Sequence, residues 1–292
     1  MEKKTKLEQR LDEHLERALA MQPFSEGKLS PNLLLEGETG TGKTSITRKW
    51  ARKNDINLFF INVPYWIDST QKTFDMLYGG EERIRNLSKP KTVLFLEHYD
   101  LGTEKCRSFF SNLVERHVLS TSNGDLFLPN ILFTIATAWP FPELQTLVTS
   151  PLTEAEKQKF ERYTVECDKE EHLRYLNDVY NSYIESAIKE GDEKFVKECK
   201  GRIALANHIL SDKRFAYTSS ESLKEDYEKA KKAGRKPGSE RGLTTYTSFN
   251  RVFLASDGSK RSFLESWDSC AVEAEQKPII EEILKDYKDV TD

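Results

Sequence analysis

Eight consecutive residues, Gly37-Glu38-Thr39-Gly40-Thr41-Gly42-Lys43-Thr44, fit the pattern G-x-x-x-x-G-K-[ST]. Each position has a chemical reason. The glycines let the backbone curl until successive N–H groups point inward, and such a concavity binds phosphate oxygens. A helix starting at the end of the loop adds the positive end of its dipole. The ammonium of Lys43 reaches toward the outer phosphates, and the Thr44 hydroxyl is a ligand for Mg²⁺. The pattern therefore predicts a site for a nucleoside triphosphate with its divalent cation, lined by Gly37, Glu38, Thr39, Gly40, Thr41, Gly42, Lys43 and Thr44.

A second set of residues has the right types for the same chemistry. Val93-Leu94-Phe95-Leu96 is an apolar run that ends in Glu97-His98-Tyr99-Asp100. Nucleotide-hydrolysing loops of this kind are usually paired with an Asp at the end of a neighbouring strand, which holds Mg²⁺. Often a Glu follows and orients water. Two alignments fit here. In one, Glu97 takes the metal position, its carboxylate displaced by about 1.5 Å, one C–C bond, and His98 takes the water position. In the other, Glu97 itself orients water, and Mg²⁺ relies on Thr44 and water. Asp100 reads as the N-cap of a following helix.

These residues need a scaffold, and the pattern along the chain supplies one. Residues 3–21 repeat Leu7, Leu11, Leu15, Ala18 and Leu19 at helical spacing. Short continuous apolar runs at 32–36, 58–63, 92–96 and 131–138 read as strands covered on both faces, with YTVEC (163–167) as a last strand. Helices are predicted from 43 to 53 and over 104–117. Strand alternating with helix predicts an α/β layer fold. Asn123-Gly124, between two short extended runs, predicts a small β-hairpin at 118–130. From about residue 168 the chain turns polar and helical. Residues 217–242 form a charged, Gly/Pro-bearing stretch whose cations Lys231, Lys232, Arg235 and Lys236 are mixed with acids, so they read as a solvated loop.

Composition narrows the classes. A net charge of −4 in 292 residues offers no global attraction for nucleic acid or anionic lipid. The mean hydropathy of −0.64 and the lack of an apolar run of membrane length argue against a spanning segment. Cys106, Cys167, Cys199 and Cys270 are far apart and form no C-x-x-C pair, which suits free thiols in the cytoplasm. The charged start of the chain does not read as a secretory leader.

Taken in order, LLLEGETGTGKT (33–44), VLFLEHYDLG (93–102), KCRSFFSNLVERHV (105–118), SNGDLFLPN (122–130) and FTIATAWP (133–140) resemble the AAA+ ATPases, specifically their MoxR-like branch. The resemblance runs over roughly residues 7–265. It implies an α/β P-loop NTPase core with a five-stranded parallel sheet, residues 1–167, followed by a helical lid, residues 168–292. It implies ATP and Mg²⁺ as ligands, and a ring, usually a hexamer, of one kind of subunit or several, with ATP between neighbours. It also implies a protein client, sometimes with a partner carrying a von Willebrand factor A domain.

The resemblance also assigns roles to single residues, and this chain departs from several. FTIATAWP looks like the strand that senses the γ-phosphate; Thr137 is kept there, but Trp139 stands where the branch has Asn. QKFERY (158–163) sits where the family has an arginine finger; Lys159 takes that position, and Arg162 is close by. GLTTYTSFNRVF (242–253) looks like the lid helix that supplies a further Arg, and Tyr246 falls near that place, with Arg251 five residues on. Binding chemistry is thus complete while hydrolytic chemistry is altered. Three readings stay open: a ring-forming ATPase that remodels or assembles a partner complex, a nucleotide-binding subunit with weak or no hydrolysis, and a DNA-directed member of the same family.

Overall fold

The computed structural model describes residues 4–21, 32–37, 41–65, 89–121, 124–139, 151–166, 169–211, 228, 232 and 277–287. The chain divides into two compact units, Met1–Glu38 with Gly42–Val165, and Thr39–Thr41 with Glu166–Asp292.

In the first unit the apolar runs form β1 (Leu33–Glu36), β2 (Asn57–Asn62), β3 (Thr92–Glu97) and β6 (Ile131–Ala138), and a polar, half-exposed stretch forms β7 (Glu161–Thr164) at the sheet edge. They make a five-stranded, all-parallel sheet in the order β2-β3-β6-β1-β7. Alternate side chains on a strand point to opposite faces, so a strand covered on both sides must be apolar throughout. Every residue of β6 is buried accordingly. On one face Leu34, Ile61, Leu94, Leu96 and Ala136 meet Cys106, Phe110, Leu113 and Val114 of α3 (Glu104–Arg116). On the other, Leu33, Leu35, Val93, Phe95 and Ile135 meet Leu7 and Leu11 of α1 (Lys6–Met21) and Trp50 and Ala51 of α2 (Lys43–Lys53).

The helix ends follow from local hydrogen bonding. The helix expected over 3–21 begins at Lys6, because Thr5 and Glu8 form a reciprocal capping box: Glu8 N–H donates to Thr5 Oγ1 at 3.0 Å and Thr5 N–H to Glu8 Oε2 at 2.8 Å. Thr103, not Asp100, caps α3, its hydroxyl oxygen accepting from Cys106 N–H. The expected last strand at 163–167 lies two residues earlier. Glu161 N–H donates to Asn32 O and Val165 N–H to Glu36 O, which sets the pairing with β1. The hairpin is present as the antiparallel pair β4 (Val118–Thr121) and β5 (Gly124–Phe127), with Thr121 opposite Gly124.

Two polar residues pin the layers together. Asn32 donates from Nδ2 to Val114 O of α3 at 2.9 Å and accepts at Oδ1 from Thr134 N–H of β6 at 2.9 Å. His14 is fully buried against Phe133 and accepts from Arg17 at Nδ1, while Arg17 and Arg10 both pair with Glu161 of β7.

Glu154–Lys157 forms the short α4, and in the second unit α5 (Lys169–Glu190) and α6 (Glu193–Ser211) are joined at Gly191, whose φ of 76° suits a residue without a side chain. Leu176, Tyr180, Ala187, Cys199, Leu205 and Ile209 are buried, as are Ile283 and Leu284 of α7 (Lys277–Leu284). Cys106 and Cys199 are free thiols. The charged stretch at 217–242, apart from residues 228 and 232, and the segment carrying Tyr246 and Arg251 lie outside the described residues. Among the described residues no helix is long and apolar enough to cross a membrane.

Burial of the His117 imidazole at the end of α3 pushes its pKa down to about 4, from the usual 6.5. The unfolded chain then binds a proton near pH 6.5 that the folded chain refuses until about pH 4. Stability from this group is complete above pH 6.5 and is lost as pH falls toward 4, by up to about 3 kcal/mol. Urea unfolding followed from pH 7.5 to 4.5 should show this decline. His117→Asn, which tolerates the φ of 52° found here, should flatten the profile; parallel curves for the two proteins would contradict it.

Candidate nucleotide site

The loop begins where β1 ends and closes where α2 begins, the context the motif requires. Gly37 N–H donates to Ala138 O at 3.2 Å, holding the loop entrance against the end of β6. Gly42 turns into α2 at φ 86°, and a Cβ there would lie 2.7 Å from Ile46 Cδ1, so no other residue fits without displacement. Lys43 Nζ donates to Gly37 O at 2.6 Å, spanning the loop from its last turn to its first residue. Glu38, Thr39 and Gly40 lie outside the described residues, and Thr41 is buried.

The central contact of the site is between Thr44 and Glu97. Thr44 Oγ1 donates to Glu97 Oε1 at 2.7 Å, bringing the first turn of α2 to the end of β3. This contact sets the Glu97 carboxylate beside the Thr44 hydroxyl, the arrangement expected of the first of the two alignments. A hydroxyl and a carboxylate are hard oxygen donors of the kind that suits Mg²⁺. Among the described residues no group of three or more His, Cys, Asp or Glu side chains gathers that could by itself hold a metal ion.

His98 follows in the left-handed region, φ 54° and ψ 47°, and its side chain is exposed. A non-glycine residue held there stores strain, which is common at functional sites. Its N–H donates to Thr137 Oγ1 at 2.8 Å, so the Thr137 oxygen serves the β3 turn within the protein. Asp100 is buried and accepts from Trp139 N–H at Oδ2, 2.7 Å away. It therefore holds the end of β6 and not a helix terminus. Burial raises the Asp100 pKa, against the opposing pull of the Trp139 N–H and of the charges of His98 and Lys43. Two hydrogen bonds thus tie the 98–100 turn to the 137–139 segment.

The two finger candidates are held differently. Lys159 Nζ donates to Ser111 Oγ at 2.6 Å and pairs with Glu115 of α3, whose carboxylate pKa it lowers. Arg162 grips Glu36 with both arms of its fork, Nε to Oε2 at 2.9 Å and Nη2 to Oε1 at 3.0 Å. The structure therefore brings Lys43, Thr44, Glu97, His98 and Thr137 together at one end of the strands. It places Arg162 at the root of the loop and Lys159 against α3.

Two residues escaped the sequence reading. Asn62, opposite Glu97 in the β2–β3 register, has a buried Oδ1 with no hydrogen-bond partner among the described residues. Its only signal is a polar residue closing the apolar run LFFIN. Arg107, 1% exposed, donates from Nε to Glu156 Oε1 at 2.6 Å and also reaches Gly102 O and Pro151 O, so the segment leading to Lys159 is fixed on α3. Burial alone would raise the Glu156 pKa, and the Arg107 guanidinium with the Thr153 cap outweighs it. The Thr153–Glu156 capping box was readable as T-x-x-E, but its partner on α3 was not.

Glu97→Gln should weaken binding of Mg²⁺-ATP at least about tenfold while leaving binding of ATP in EDTA nearly unchanged, since a charge-assisted contact is worth about 1.5–3 kcal/mol. Titration of a fluorescent ATP analogue with and without Mg²⁺ checks this; an equal loss in both conditions would remove Glu97 from the metal position.

Residues 33–140 match the family model described as ATPase family associated with various cellular activities (AAA). The match spans the loop, β3 with Glu97, the hairpin and β6 with Thr137. No curated protein matches the chain. The phosphate loop, four of the five parallel strands and the Thr44–Glu97 contact lie within this segment, which is similar to the AAA ATPase domain, and the all-parallel sheet with its helices is the α/β fold of a P-loop NTPase.

Proposed function

We propose that this chain is a MoxR-like AAA+ protein that assembles into a ring, binds ATP with Mg²⁺ between neighbouring subunits, and remodels or assembles a partner complex. The observation that carries the reading is the Thr44–Glu97 hydrogen bond, which places a hydroxyl and a carboxylate beside the phosphate loop. In this reading the loop amides and Lys43 bind the phosphates, and Thr44 and Glu97 hold the cation. When bound, Mg²⁺ neutralises phosphate charge and orients the triphosphate. His98, fixed by Thr137 and by its own left-handed backbone, takes the position that orients water. The β4–β5 hairpin carries the motion outward, and the helical part after residue 167 acts as a lid.

Turnover in this reading is slow. Glu97 is engaged at the metal position, so an imidazole stands where a carboxylate would orient water. Lys159 presents a point charge where a planar guanidinium would clamp a phosphate. Loss of one such group typically costs two to three orders of magnitude in rate. The same observation favours a second reading, a nucleotide-gated subunit whose bound ATP stabilises an interface without being consumed. No contact among the described residues favours the DNA-directed reading.

Phosphate release from Mg²⁺-ATP, measured at concentrations that permit assembly and alongside Lys43→Ala, separates the two. Slow release that disappears in Lys43→Ala is the expected result. ATP binding with no release would establish the nucleotide-gated subunit, and absence of both would remove the nucleotide reading altogether.

A further inference from the structure

Glu36 is an unusual residue for its place. It closes β1, the strand that feeds the phosphate loop, and its side chain is 9% exposed. Its backbone is fixed on both sides: Glu36 O accepts from Val165 N–H at 2.7 Å, and the next residue, Gly37, donates to Ala138 O. The backbone at Glu36 is therefore held at the root of the loop, which in the nucleotide-binding reading must hold a highly negative triphosphate. A buried negative charge one residue from that site opposes binding unless it is compensated, because like charges repel strongly where water is excluded.

The compensation is Arg162. It lies opposite Leu34 in the β1–β7 register, so Glu36 is two residues further along the same face. From there Arg162 reaches both carboxylate oxygens, at 2.9 and 3.0 Å. A bidentate guanidinium–carboxylate pair fixes direction as well as charge. Arg162 is 51% exposed at the sheet edge, while Glu36 is nearly covered. Withdrawing Arg162 would leave Glu36 uncompensated, which is costly for a buried charge. Lys159 differs, since its partner Glu115 is 30% exposed and regains water when the pair opens.

We propose that Arg162 acts within its own subunit as a positioning residue, neutralising Glu36 and so permitting the phosphate loop to accept a triphosphate. The inference rests on the nucleotide-binding reading and assigns Arg162 a role other than that of a finger offered to a neighbour. Its signature is that the need for Arg162 exists only while Glu36 is charged.

The test is a double-mutant cycle on affinity for a fluorescent ATP analogue with Mg²⁺, with thermal unfolding without nucleotide measured in parallel. Arg162→Gln should weaken binding roughly tenfold or more. Glu36→Gln should have little effect. The double variant Glu36→Gln/Arg162→Gln should recover to within about threefold of the unchanged chain. Arg162→Lys, which keeps the charge but not the fork, should fall between and guards against a folding defect in the neutral variant. An equal loss in Arg162→Gln and the double variant, or no loss in either, would overturn the proposal while leaving nucleotide binding intact. Absence of binding by the unchanged chain would instead overturn the nucleotide reading, and the proposal with it.

Discussion

The five strands all run the same way, and the site depends on that constraint. Parallel strands deliver their C-terminal ends to one edge of the sheet, so Gly37 after β1, Glu97 at the end of β3 and Thr137 near the end of β6 meet there. Ladder pairing between β1 and β6 sets Leu35 opposite Thr137 and Glu36 opposite Ala138. The Thr44–Glu97 hydrogen bond then joins groups separated by 53 positions in the chain. Parallel sheets need cover on both faces, and the two apolar layers built on α3 and on α1 with α2 supply it. Burying the sheet and assembling the site are consequences of one arrangement.

Charge is arranged around the site with similar economy. Lys43 rests on the Gly37 carbonyl, Arg162 on Glu36, and Lys159 on Glu115 and Ser111. These three cations differ in what their release leaves behind. Moving Lys43 exposes a neutral carbonyl, and moving Lys159 exposes a carboxylate that water can solvate. Moving Arg162 strands a buried carboxylate at the loop. The ranking explains why cations that look alike in a sequence can do different work.

The residues around His98 share a structural logic. His98 sits in a left-handed turn that Thr137 and Asp100 hold from both sides, one by accepting the His98 N–H and the other by accepting the Trp139 N–H. The clasp couples the strand end carrying Glu97 to the strand end carrying Trp139. A displacement of either segment is therefore carried to the other through these two hydrogen bonds.

The sequence by itself determined what depends on neighbours in the chain. The apolar runs had to be covered strands, the glycine pattern called for a loop running into a helix, and the extended runs around residue 124 called for a hairpin, because backbone sterics and side-chain alternation act over a few residues. It could not choose between the two alignments of Glu97, since both place a carboxylate at the same strand end. It assigned Asp100 to the wrong task, because capping by Thr103 and a cross-strand contact with Trp139 look the same in one dimension. It set the last strand two residues late, because that strand starts where Asn32 accepts the Glu161 N–H, a contact across 129 positions of chain. Asn62, Arg107 and the Glu36–Arg162 pair were decided by tertiary structure alone, for their meaning lies in burial and in partners that only strand order brings within hydrogen-bonding distance.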